Sequence, residues 1–142
     1  MSAVTSSIDI AVPPRAVWDV VMNPVRLEEW VTIHRRLERH TATSMEQVLC
    51  LRGFTFHVTW ALDASERPHH ATWKGKGPGH SKATIEYGLT EIDGGTRFDY
   101  RNEFKAPFGP LGAVAGKAIV GGLSQRETDA SLLRLKALCE RA

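Results

Sequence analysis

Cysteine is scarce in this 142-residue chain: Cys50 and Cys139 are the only two, and each lies in an apolar run. Without a secretion signal, such a pair reads as two buried thiols in a reducing cytoplasm rather than as a disulfide. A signal segment is not expected, because Ser6, Ser7 and Asp9 interrupt the apolar positions of residues 1–15 and no cationic stretch precedes them. An excess of one charge is also lacking. The 18 basic and 16 acidic side chains leave +2, and the only basic cluster is His34-Arg35-Arg36. That balance gives no footprint for nucleic acid, which needs a basic face. Nor is there a long apolar run: residues 107–123 come nearest, and they are short for a membrane span and hold a lysine and two prolines. No integral membrane association is expected.

Several motifs of catalysis are incomplete. Residues 75–80 (GKGPGH) imitate a dinucleotide fingerprint but lack its last glycine, contain a proline and precede a strand-like segment. Residues 112–117 (GAVAGK) are one residue short of a phosphate loop, with Ala118 where a hydroxyl would hold magnesium. Residues 79–83 (GHSKA) lack the final glycine and the following helix of a hydrolase elbow, so Ser81 reads as a strand-starting residue. The six histidines never fall four apart, and neither cysteine has a soft neighbour, so no metal and no cofactor are expected.

What is present is alternation. Residues 5–12 place Ile8, Ile10 and Val12 on one face, and Pro13-Pro14 then opens a helix whose Val17, Trp18, Val20 and Val21 run to the Asn23-Pro24 break. A second short helix is predicted over 25–30. Strands follow over 45–51, 54–62, 70–75, 81–89 and 96–104, separated by Arg52-Gly53, the glycine-rich 75–79 and Asp93-Gly94-Gly95. Period-two patterning marks antiparallel strands with one covered face. From residue 109 the period changes to helical, through Leu111, Ala115, Ala118 and Gly122 to Leu132, Leu135 and Leu138, with a bend expected at Gly121-Gly122. At this length, and with no internal repeat or linker, residues 1–142 read as one α+β domain in which a curved antiparallel sheet wraps a long C-terminal helix.

The parity of each strand selects the side chains that face this helix: Phe56, Val58 and Trp60, then Ala71 and Trp73, Ala83, Ile85 and Tyr87, and Phe98, Tyr100, Asn102 and Phe104. The helix opposes them with small residues, among them Ala115, Ala118 and Gly122. Big aromatics facing small residues either pack closely or leave a void. Here the polar tips of Trp60, Trp73, Tyr87 and Tyr100 favour a pocket, because an apolar wall with a few polar groups suits a small-molecule ligand. Trp30 would line the mouth with His34 just after it, and Leu111 would join the lining from the helix. Asp99, Arg101 and Glu103 fall on the outer face, which leaves no carboxylate pointing inward from the strands; a bulge would reverse that.

At these residues the chain resembles the START-like (SRPBCC) superfamily in its polyketide cyclase/dehydrase branch, which has the helix-grip fold of the major birch-pollen allergen. The matching stretches are 6–18 (SSIDIAVPPRAVW), 27–31 (LEEWV), 53–60, 73–79 (WKGKGPG), 95–100 (GTRFDY) and 103–109 (EFKAPFG), spread over nearly the whole chain. The basic stretch 34–40 departs from the pattern, where members place a strand and a glycine turn. The resemblance implies a cavity between sheet and helix that holds a hydrophobic, lipid-like or polyketide-like molecule, as in a carrier or sensor. The alternative is a cyclase, aromatase or dehydratase using acid and base groups there, with Tyr100, Asn102 and His34 as the candidates. A fold alone does not choose between them. A helper subunit docking through the outer face is a third reading, and whether the chain forms a homodimer stays open.

Overall fold

In a computed structural model, residues 2–51, 53–105 and 125–141 are described. Strand β1 (Ser2–Ile10) leads into helix α1 (Pro14–Val21). Pro14 sits in the first turn, where its missing N–H has no partner to lose. Val17, Trp18, Val20 and Val21 give α1 its buried face. The helix stops at Met22, and the Asn23 side chain accepts the Val25 N–H in a turn of 3₁₀ helix, Pro24–Arg26. One α-helical turn, α2 (Leu27–Trp30), follows. The expected second helix is therefore two short turns, divided where Pro24 starts one and Leu27 the other.

Seven antiparallel strands form one curved sheet in the order β1-β7-β6-β5-β4-β3-β2. They are β2 (His34–His40), β3 (Ser44–Leu51), β4 (Phe54–Glu66), β5 (His70–Lys76), β6 (Lys82–Ile92) and β7 (Gly95–Lys105). Strand β2 is the basic stretch that alternation did not reveal. It pairs with β3 through two register shifts, between His34 and Arg36 and between Leu37 and Arg39, and each shift breaks the period-two signal. Gly53 and Gly94, at φ +84° and +83°, take the left-handed positions of the β3–β4 and β6–β7 turns. Gly95 answers a different need: a Cβ there would lie 2.1 Å from the Ile10 carbonyl oxygen, so only glycine lets β7 start against the end of β1.

The C-terminal helix α3 (Gln125–Glu140) lies along β1 and against α2. The expected helix begins earlier, at 109; its glycine- and alanine-rich half, including Leu111, Ala115, Ala118 and Gly122, lies outside the described residues. Thr128, Ser131, Leu132, Leu135 and Cys139 form the buried face of α3. Its Lys136 Nζ donates to the Asp9 carbonyl at 2.9 Å and its Gln125 Nε2 to the Thr5 carbonyl at 2.7 Å, which ties the helix to the free edge of β1. Cys139 is buried, Cys50 half-buried, and both are free thiols. No described helix is long and apolar enough to cross a membrane.

Candidate functional site

Between the inner face of β3–β7 and the helices α2 and α3 lies a cavity of about 90 Å³. Eleven of the residues selected by strand parity and the α2 position stand on its wall: Trp30, Phe56, Val58, Trp60, Trp73, Ala83, Ile85, Tyr87, Tyr100, Asn102 and Phe104. Alternation in β7 survives intact, so Asp99 and Arg101 are exposed, and Glu103 turns outward to pair with Arg101 at 3.2 Å.

Three selected residues stand elsewhere, the first being Ala71, which is wholly buried in the core. Phe98 faces the same side of the sheet but is wholly buried beneath Trp30, ring edge to ring face with centroids 6.4 Å apart, and also packs on Tyr87 at 5.4 Å. The indole thus fills the space above Phe98, which belongs to the core rather than to the wall. His34 is one residue removed from the cavity. Its Nδ1 lies 2.8 Å from Gln47 Nε2, and Gln47 is the residue that reaches the wall.

That contact fixes a proton. The Trp60 indole can only donate, and it gives its N–H to Gln47 Oε1 at 2.9 Å. The Gln47 amide therefore points its nitrogen at His34, so His34 Nδ1 accepts and the ring carries its proton on Nε2. Burial holds the His34 pKa below the ordinary histidine value, and the nearby Glu28 carboxylate partly offsets it. The ring is neutral at pH 7, an acceptor at one nitrogen and a donor at the other.

The wall also includes groups that the sequence reading passed over. Met45, Gln47 and Leu49 line it from β3, and their alternation was a signal available in the sequence. Glu127, Thr128, Ser131 and Leu132 line it from α3. Glu127 corrects the expectation of a cavity without a carboxylate: strand parity tests the sheet alone, and this carboxylate comes from the helix. Its Oε2 accepts from Thr32 Oγ1 at 2.6 Å, while the Thr32 backbone N–H donates to Ser131 Oγ at 3.1 Å. These bonds join the segment after α2 to α3. Ser81 also lines the cavity, but its hydroxyl is engaged with the Pro78 carbonyl at 2.8 Å and serves the turn.

The two cavity phenols are held neutral. Burial pushes Tyr87 well above the usual tyrosine value, with the neighbouring Tyr100 adding to it. Burial raises Tyr100 to about 12, and a hydrogen bond with Asn102 partly opposes this. Both are hydrogen-bond donors at pH 7, not bases. Among the described residues no cluster of His, Cys, Asp and Glu could hold a metal ion. Among the described residues the site is therefore an apolar, aromatic wall carrying a few neutral polar groups, with the Glu127 carboxylate and the exposed Lys82 as its charged members.

Comparison with known proteins agrees with this geometry. The family described as "Polyketide cyclase / dehydrase and lipid transport" matches residues 1–140. The uncharacterized protein Rv1546 of Mycobacterium tuberculosis is 28% identical over 133 residues, covering 88% of this chain and 93% of that protein. The toxin Rv0910 of the same organism is 26% identical over 129 residues, 84% of this chain and 88% of its own length. Among solved structures, the ZhuI aromatase/cyclase from Streptomyces sp. R1128 superposes with a TM-score of 0.81 over 99% of this chain and 94% of its own, at 14% identity. TTHA0849 of Thermus thermophilus gives 0.79 over 97% of each chain, at 17% identity. At those identities the likeness is one of fold.

Proposed function

Since the chain belongs to the polyketide cyclase/dehydrase and lipid transport family, we propose that it is one ligand-binding domain that takes an apolar small molecule between its sheet and its C-terminal helix, as a carrier or sensor. The observation that carries this reading is the cavity itself, whose wall is aromatic and aliphatic with few polar groups. A native core is packed as densely as an organic crystal, so 90 Å³ of space is not an ordinary packing defect. Benzene occupies an engineered apolar cavity of about 150 Å³ in another protein. The space here admits a guest of about one ring once a half-buried wall residue such as Phe56 or Phe104 turns aside.

Native mass spectrometry of protein purified from its own host tests this. The parent chain is expected to carry an apolar adduct, and Ala83→Phe, which adds a ring at a half-buried wall position, is expected to purify without it. The same adduct on a folded Ala83→Phe variant would place the guest elsewhere and refute the reading.

One observation favours an enzyme as the second reading: Glu127 brings a carboxylate to the wall that also holds Tyr100 and Asn102. A cyclase or dehydratase needs an acid or base beside the reacting carbon. In that case Glu127→Gln would abolish turnover of a bound polyketide-like substrate while leaving its binding intact. In a carrier the same change leaves nothing to lose but the Thr32 contact.

A further inference from the structure

Two buried polar atoms, on side chains that line the cavity, have no hydrogen-bond partner among the described residues: the Trp30 indole N–H and the Asn102 side-chain oxygen. Trp30 is 1% exposed and Asn102 7%. A buried donor or acceptor without a partner is costly, and native interiors rarely leave such groups unpaired. The contrast with Trp60 is direct, because that indole, also on the wall, is matched by Gln47. Asn102 has its amide nitrogen engaged with Tyr100, which leaves the oxygen as its open end.

The charges on the wall narrow the chemistry further. Among the described residues no Arg or His lines the cavity, Lys82 is exposed, and Glu127 would repel an anion. Tyr87 and Tyr100 stay neutral, so no described residue inside carries a positive charge to compensate a buried carboxylate or phosphate.

Building on the reading of this cavity as a ligand site, we infer that its ligand is an uncharged, hydroxyl-bearing apolar molecule that donates a hydrogen bond to Asn102 Oδ1 and accepts one from Trp30 Nε1. A single alcohol or phenol, or a hydroxyl with a nearby carbonyl, supplies both halves. Fatty-acid carboxylates and phosphorylated lipids do not match the buried end.

Para-substituted toluenes of nearly equal shape isolate these groups, with binding to the full chain followed by calorimetry and by the indole N–H resonances. Here p-xylene has neither group, 4-methylanisole only an acceptor, p-cresol both, and 4-methylbenzoate a charge. The expected result is that p-cresol binds at least as tightly as p-xylene despite its greater affinity for water. The Trp30 N–H resonance, assigned with Trp30→Phe, should move downfield with p-cresol and 4-methylanisole but not with p-xylene. Asn102→Leu should weaken p-cresol about tenfold and p-xylene less than about twofold, and 4-methylbenzoate should bind no better than p-xylene. Adding 4-methylcyclohexanol separates the two sources of a hydroxyl: preference for p-cresol indicates a phenol, and equal binding an alcohol of either kind. If p-xylene is the tightest of the set in the parent chain, or the Trp30 resonance stays still with every probe, the inference is overturned while the cavity reading stands. If no probe binds, p-xylene included, both fall together.

Discussion

Replacing Gln47 with leucine removes the centre of the chain Trp60–Gln47–His34 while keeping most of the side-chain volume. The two hydrogen bonds lost, at 2.9 and 2.8 Å, are not equivalent. Trp60 is 4% exposed, so its N–H is left in an apolar space where water does not reach it, at a cost of about 1–3 kcal/mol. His34 is half-buried, and its Nδ1 can turn to solvent for much less. The apolar surface of the new leucine offsets part of the loss, so Gln47→Leu should destabilise by about 2 kcal/mol. Adding Trp60→Phe removes the orphaned donor as well, and the double variant should be less destabilised than the two single variants summed. Urea unfolding followed by circular dichroism reads both quantities. Burial of His34 also sets a pH dependence. The His34 pKa is lowered on folding, so on acidification the unfolded state takes up this proton first. The stability contribution is whole above the ordinary histidine value near 6.5 and is lost as pH falls through the lower folded value. A proton on Nδ1 would set two donors face to face, so the His34 midpoint, followed by NMR, should lie below 6.5 and rise in Gln47→Leu. A single variant as stable as the parent, strict additivity in the double variant, or an unmoved midpoint would refute the reasoning.

Two further changes probe the frame around the site. Gly75→Ala should lower stability by about 1–3 kcal/mol and disturb Trp60 fluorescence, because the new Cβ would lie 2.6 Å from the Trp60 ring; an unchanged melting temperature would contradict the placement of that ring. Thr96→Val should cost about 1–3 kcal/mol in urea unfolding, since Thr96 is fully buried and donates to the Val12 carbonyl at 2.7 Å. A neutral result would mean that this carbonyl finds another donor.

The regular strands were legible in the sequence because each has one covered face, and Phe56, Val58 and Trp60 recur every second residue with Thr55, His57 and Thr59 between them. The turns were legible where Gly53 and Gly94 supply positive φ. Strand β2 was hidden because its register shifts and its arginines erase the alternation. The far end of β4 was hidden for a related reason, since pairing continues past Leu62 through a shift into the exposed residues Ala64 to Glu66. At the site, parity found the residues on the sheet but said nothing of how far along a strand the helices close over it. Phe98 and Tyr100 share a face, and only the position of Trp30 makes one of them core and the other wall. Parity was also blind to Glu127, whose helix presents Thr128, Ser131 and Leu132 at three- and four-residue spacing.

The two outermost strands of the sheet differ in how they end it. On one side β2 is kinked and crowded with arginines; on the other, carbonyls of β1 are taken up by side chains of α3. Neither rim offers a straight, vacant ladder to a stranger's backbone. Among the described residues, both rims thus carry features that disfavour growth into ribbons by strand addition.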